Sequence, residues 1–389
     1  MKIIATMNER RAERSVERSI EFEPASSTGK TSIGYSFAGS VVPPPLERFD
    51  AVAVALIFHA MRCRSDLHVA GPVSARLLEN LEEFQRAWAK WRPDLYTPVQ
   101  VTAEVEVEAV ASNSRDAVLT YSGGVDANFS LVRHASGAAG RQGRTLKAAV
   151  LVHGFDIPLD KPEMFTVARL NAEEILGPFG VPLCQVVTDW RQVGTKWESE
   201  FGTGLVSCLC QFNGVASIGL IGSDEDYGSL VLPWGSNPVT NPFLSSEDFT
   251  VTTDGTGYSR CEKVALIATF PNVTDRLRVC WEHPTAEAGK GGNCGQCEKC
   301  LRTKMNFLAN RSSPGRSLSD GVTNSQIRGL RLRNEVQLAY LDDILRSADL
   351  HEVNDDWVKA LQVAVFRNRI TLGLRRARRW VGQAVRRSR

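Results

Sequence analysis

The stretch Ala117-Val-Leu-Thr-Tyr121 runs straight into Ser122-Gly123-Gly124-Val125-Asp126, and a helical pattern follows from Ala127 to His134. A short apolar strand, a tight turn and a helix start are therefore expected in immediate succession. Two adjacent glycines let backbone N–H groups approach an anion closely, and the helix N-terminus behind them adds about half a positive charge. Ser122 can donate its hydroxyl to a phosphate oxygen. Asp126, an anion beside an anion, makes sense there near a divalent cation or as an orienting acceptor for loop amides, and Mg2+ is expected to bridge. The competing account is an ordinary glycine turn between a strand and a helix, because short glycine motifs recur by chance.

Working outward, the pattern alternates. Strands are expected at Lys147 to His153 and Leu183 to Thr188, with a helix between them at Glu163 to Leu176. A helix at Gly204 to Ile221 and a strand at Ser229 to Pro233 follow, then a loop-rich segment and a helix opening at Ser259. Alternating β and α elements predict an α/β fold with a doubly wound parallel sheet, whose ligands bind at the carboxyl ends of strands. Upstream lies what reads as a separate α+β region. Its strand-like runs are Ile3 to Met7, Ser19 to Glu23, Thr31 to Ala38 and Val99 to Val107. Its helices are Asp50 to Arg62, with Asp50 suited to the N-cap, and an amphipathic Ala75 to Trp91. The expected organisation is 1–112 for this region, 113–275 for the nucleotide-type domain, 276–322 for a metal knuckle and its helix, and 323–389 for a helical, arginine-rich extension.

The knuckle rests on Cys294-x2-Cys297-x2-Cys300, preceded by Cys280. Four thiolates in one short stretch match tetrahedral Zn2+, with Gly291, Gly292 and Gly295 supplying turns and a helix at Glu298 to Leu308 leaving the site. An iron–sulfur cluster is the chemical alternative. Four sulfurs around one ion leave no open position for water, so the metal is expected to be structural.

Composition sets the outer limits. With 43% hydrophobic and 23% charged residues, the 389-residue chain resembles ordinary globular proteins and can bury a full core. The longest apolar run, Ala51 to Met61, is too short to span a bilayer and reads as a buried helix. The first twenty residues carry several arginines and glutamates and no apolar signal segment, so a cytoplasmic location is expected. The net charge of +2 hides a tail, Arg367 to Arg389, with nine arginines and no acidic residue. Either a solvated helix face or an anionic partner, RNA or a membrane surface, accounts for it.

Ser-Gly-Gly-x-Asp followed much later by Cys-Gly-x-Cys-x-x-Cys resembles the N-type ATP pyrophosphatases (adenine-nucleotide alpha-hydrolase-like fold), and within them 7-cyano-7-deazaguanine synthase and its relatives. Ser259-Arg-Cys-Glu-Lys263 is similar to that family's Thr/Ser-Lys-x-Glu helix start, and Arg302 matches the basic residue just past the last cysteine. The resemblance covers about residues 115 to 310. It implies an ATP-dependent, AMP-forming ligase that adenylates a small-molecule or peptide carboxylate, after which ammonia or an amine displaces AMP. It also implies catalytic roles for Ser122, Asp126 and Arg260. Nucleotide contacts fall to Ser122, Gly123, Gly124, Val125, Asp126, His153 and Arg302, with ATP, Mg2+ and a structural Zn2+ at Cys280, Cys294, Cys297 and Cys300. Ala127 stands where the family has Ser or Thr, and the Cys280 to Cys294 gap is long, so a divergent substrate is expected.

Other features carry weaker expectations. Thr28-Gly-Lys-Thr31 looks like the end of a P-loop but lacks the first glycine, where Pro24 stands. His153 sits at a strand end from which it could approach a nucleotide, but a lone histidine there is more often structural. Ser236 to Pro242 and Asp254-Gly255 are polar turns that could reach an acyl substrate or simply be loops. Cys208 and Cys210 lie in an apolar segment and are expected to be inert rather than sulfur-transferring. A non-catalytic, zinc-stabilised nucleotide or nucleic-acid binding module and a tRNA-thiolation enzyme are the alternative functions, and a homodimer is open.

Overall fold

The computed structural model describes residues 2–24, 26–280 and 292–387, with residues 377–387 described by their helical backbone alone. The chain divides into two compact units, Met1–Asp224 with Leu232–Thr256, and Glu225–Val231 with Gly257–Arg389.

The first unit is α/β and is built on one large, mostly parallel sheet. In chain order its strands are β1 (Lys2–Ala12), β2 (Ser15–Glu23), β3 (Ser32–Gly39), β4 (Asp66–Ser74), β5 (Val101–Val107), β6 (Asp116–Thr120), β7 (Thr145–His153), β8 (Leu183–Thr188), β9 (Ile218–Gly222) and β10 (Thr250–Asp254). Across the sheet the order is β10-β9-β6-β7-β8-β3-β2-β1-β4-β5. From β6 the chain therefore steps outward through β7 and β8 on one side and returns to β9 and β10 on the other. Strands β10 to β8 pair in parallel, and β3 joins β8 antiparallel with Tyr35 opposite Thr188 and Gly39 opposite Cys184. The region read as a separate N-terminal piece thus continues the same sheet. No local pattern could show this, because the pairing joins residues about 150 positions apart.

Both faces of the central strands are buried, as parallel strands require. Val118, Ala148, Val150, Cys184 and Val186 enter one core with helices α1 (Asp50–Cys63) and α5 (Trp197–Leu209). Their neighbours Ala117, Leu119, Ala149 and Leu151 are equally buried and, by strand alternation, face the opposite side. Helix α1 is buried from Asp50 to Met61, as its apolar composition predicts, and Ala55 O accepts from Trp190 Nε1 at 3.0 Å. Asp50 is the first helical residue rather than the N-cap. Its carboxylate accepts from the Ser74 backbone N–H at 2.8 Å and hydroxyl at 2.7 Å, binding α1 to the junction of β4 and α2 (Ala75–Trp91).

Several elements differ from the sequence expectation. The helix expected over Gly204 to Ile221 is instead the end of α5 followed by β9; a short apolar run suits either state, and only its place between β6 and β10 decides. Ser229 to Pro233 forms no strand. Strand β4 was hidden by Gly71 and Pro72, which fall at a register shift between Val69 and Pro72 where a missing N–H is tolerated. Thr28-Gly-Lys-Thr31 is the turn and strand entrance between antiparallel β2 and β3, with Lys30 Nζ 2.5 Å from Asp189 Oδ2.

The second unit is helical: α6 (Arg260–Ile267), α7 (Pro271–Thr274), α8 (Glu298–Ala309), α9 (Asn324–Gly329), α10 (Glu335–Leu350) and α11 (Asp356–Arg387). Cys261, Leu301, Met305, Ile327, Leu341, Ile344, Trp357 and Leu361 are part of its core. Among the described residues no helix is long and apolar enough to cross a membrane.

Candidate functional site: the glycine loop and the four-cysteine centre

Strand β6 ends at Thr120, and Tyr121 continues its pairing by donating N–H to Val150 O at 2.8 Å. The loop then turns at Gly123, whose φ of +75° lies in the left-handed region that glycine enters without strain. Helix α3 (Val125–Ala135) begins with Gly124 as its N-cap. Ser122 is exposed, and its Oγ accepts from Gly124 N–H at 3.3 Å. Asp126 is half-buried in the first turn.

The residue that holds this loop is Asn128, fully buried and absent from the sequence reading. Its Nδ2 donates to Gly123 O at 2.9 Å and Gly124 O at 3.0 Å, and its Oδ1 accepts from Tyr121 Oη at 2.7 Å. A trans peptide points its carbonyl and its N–H in opposite directions. Drawing the two carbonyls inward onto Asn128 therefore turns the amides of Gly124 and Val125 away from it. The only signal in the sequence was an Asn one turn inside an apolar helix, where it disfavours the helix unless its amide is committed.

The loop sits where the strand order reverses. Gly222, ending β9, lies so close that a Cβ there would stand 2.9 Å from the backbone of Asp126. Beside it, Asp254 at the end of β10 accepts from Ser130 Oγ at 2.7 Å and Arg133 Nη1 at 2.5 Å, and its Oδ1 lies 3.4 Å from His134 Nε2. Burial raises the Asp254 carboxyl, but His134, Arg133 and Ser130 outweigh it and hold the group below the usual carboxylate range. Asp254 thus anchors α3 to the sheet. Ser236 to Pro242 is likewise hydrogen-bonded within itself and to β10: Asn237 Oδ1 accepts from Val239 and Thr240 N–H, and Asn241 Nδ2 donates to Ser236 Oγ and Thr253 Oγ1.

His153, at the end of β7, is buried and stacked on Phe165 with ring centroids 4.5 Å apart and 10° between planes. Its Nε2 donates to Pro158 O at 2.9 Å, since a carbonyl can only accept. Cys208 is buried and Cys210 half-buried, and desolvation raises both thiols well above their ordinary value.

In the second unit, α6 opens with a capping box in which Ser259 Oγ accepts from Glu262 N–H and the Glu262 carboxylate accepts from Ser259 N–H. Arg260 in its first turn is buried, with its guanidinium carbon 5.0 Å from the Tyr340 ring centroid. Arg302 of α8 approaches the same ring at 4.0 Å and pairs with Glu298 at 2.8 Å. The two basic residues singled out in the sequence are therefore brought together, around a tyrosine of α10 that the sequence did not mark.

Cys280, Cys294, Cys297 and Cys300 form one group, with their four sulfurs all within 4.8 Å of one another. The Cys280–Cys297 and Cys294–Cys300 separations are 3.7 and 4.0 Å. Sulfurs about 2.3 Å from a tetrahedral zinc are separated by roughly 3.8 Å, so the group could hold a zinc ion. An iron–sulfur cluster places several metal atoms among its ligands and needs wider spacing. Donating their protons towards the Cys280 sulfur raises the Cys297 thiol to about 12 and the Cys300 thiol further, with burial adding to both. Crowded thiols of this kind stay protonated unless a cation offsets their charge. Gly295 has φ +73°, and Cys297 N–H points to Cys294 Sγ at 3.3 Å. Gly291 lies outside the described residues.

Asn293, also missed, organises this centre. Its Oδ1 accepts from Val279 and Cys280 N–H at 2.8 and 3.0 Å, and its Nδ2 donates to Leu277 O and Ser317 O. Lys304 Nζ donates to Gly295 O at 3.0 Å from the next turn of α8.

The chain matches no family model, and neither a curated protein nor a solved structure is detectably similar to it.

Proposed function

We propose that this chain is an ATP pyrophosphatase of the AMP-forming ligase type, which adenylates a carboxylate and releases pyrophosphate before an amine or ammonia displaces AMP. The carrying observation is that Ser122 to Asp126 joins β6 to α3 where the strand order reverses, the position at which doubly wound sheets bind ligands. On this reading the strands from β6 to β10 form such a doubly wound sheet. Gly123 in its left-handed conformation and the inward clamping of two carbonyls by Asn128 suit the loop to an anion.

In this reading Ser122 and the loop amides hold the phosphates, and Asp126 holds Mg2+. When bound, Mg2+ supplies charge neutralisation on the departing pyrophosphate. Ser122 is exposed and Asp126 is half-buried, so both are accessible for these roles. The resemblance assigns Arg260 to the phosphates, and Arg260→Met tests that role separately. His153 is occupied by Phe165 and Pro158, which supports packing over nucleotide contact. The raised thiols of Cys208 and Cys210 weigh against a sulfur-transfer variant.

The test is pyrophosphate release from ATP and Mg2+ in the presence of ammonium and a panel of carboxylic acids, with AMP measured alongside. Acid-dependent release in equal amounts, abolished by Ser122→Ala and Asp126→Asn, supports the reading. ATP binding without acid-dependent turnover points instead to a non-catalytic nucleotide-binding module, and ADP as the product excludes the class.

A further inference from the structure

Helix α11 is held in a fixed rotation by one face. Trp357, Ala360, Leu361, Ala364, Val365 and Leu372 enter the core of the second unit. Asn368 Oδ1 accepts from Leu332 N–H at 3.0 Å and its Nδ2 donates to Leu330 O at 3.1 Å. The face turned away from that core should be polar in an ordinary surface helix. It is apolar: Val363 is 54% exposed, Phe366 68%, Ile370 49% and Leu374 59%. Their spacing of three, four and four residues puts them on one stripe, roughly 17 Å long. Scattered exposed apolar side chains need no explanation, but an aligned set does.

The last part of the chain carries charge of one sign. From Arg367 onward the sequence carries nine arginines and no acidic residue. Arg369 pairs with Asp342 at 2.8 Å and Arg375, exposed past Leu374, donates to Leu332 O at 3.3 Å, while Arg376 extends the exposed surface. A partner must therefore offer both an apolar medium for the stripe and anions for the arginines. RNA supplies the anions but leaves Val363, Ile370 and Leu374 wet. A second copy of the chain could cover the stripe but leaves the arginine charge uncompensated. An anionic bilayer interface satisfies both demands, because acyl chains take up the stripe and lipid phosphates meet the arginines.

We infer that α11 docks this protein on anionic phospholipid surfaces, lying in the interface with Val363, Phe366, Ile370 and Leu374 facing the acyl region. The inference is independent of the glycine loop and its chemistry.

The experiment uses the full chain and sedimentation with phosphatidylcholine vesicles, with or without phosphatidylglycerol. Binding is expected only with phosphatidylglycerol present, falling as salt rises. Phe366→Ser with Ile370→Ser should weaken it about tenfold or more, and Arg375→Gln with Arg376→Gln about tenfold. Far-ultraviolet circular dichroism and zinc content should not change, since all four side chains are exposed. Failure to bind either vesicle, equal binding to both, or undiminished binding by both double variants overturns the inference. So does binding of mixed-sequence RNA, or a dimer disrupted by Phe366→Ser with Ile370→Ser, when vesicles are not bound.

Discussion

The phenol of Tyr121 and the side-chain amide of Asn128 meet at 2.7 Å beneath the glycine loop, joining the end of β6 to the first turns of α3. Asn128→Leu removes this bond and both bonds to the loop carbonyls. It should cost about 1–3 kcal/mol in urea unfolding, the penalty for leaving buried polar groups without partners. ATP affinity, measured by calorimetry, should fall in the same variant. Asn128→Asp keeps the acceptor for Tyr121 but loses the donor, so it should weaken ATP binding even where stability recovers.

Gly222→Ala places a methyl group 2.9 Å from the Asp126 backbone, which cannot swing aside as a flexible side chain would. Overpacking of this kind should destabilise the fold by about 1–3 kcal/mol. The start of α3 must shift, so nucleotide affinity should drop more than in an alanine substitution at the open Gly177.

His59 on α1 is buried, and desolvation, aided by nearby Arg62, lowers its pKa from 6.5 to about 4. The unfolded chain then binds more protons between those values. Stability is unimpaired above pH 6.5 and falls as pH drops towards 4, by up to about 3 kcal/mol. Urea midpoints measured across this window should show the slope, and His59→Phe should flatten it.

Metal analysis of the purified chain should find a single zinc ion, lost on treatment with a strong chelator together with part of the thermal stability. Cys297→Ser should abolish tight binding. Asn293→Ala leaves all four sulfurs in place but frees the Cys280 segment, and should lower zinc affinity about 10–100-fold in a competition assay with a chromogenic chelator.

Much of this protein was legible locally. The apolar run before Ser122, the spacing of Cys294, Cys297 and Cys300, and the capping pair Ser259 and Glu262 each report interactions within a few residues, which sequence alone can display. So the strand into the glycine loop, the cysteine group and the start of α6 could be placed before any coordinates. The side chains that position these features were not legible. Asn128, Asn293 and Tyr340 are ordinary residues in a sequence, and only their partners, found after folding, distinguish them.

By itself the sequence determined an α/β chain with a glycine turn, a four-thiol knuckle and a helical, arginine-rich end, because periodicity and spacing are short-range properties. Only the tertiary structure decided that the N-terminal strands extend the central sheet through β3 and β8, that Gly222 crowds Asp126, and that α11 turns an apolar stripe outward. Each of these depends on backbone pairing or burial between residues distant in the chain, and side-chain identity at one position carries no record of what lies across from it.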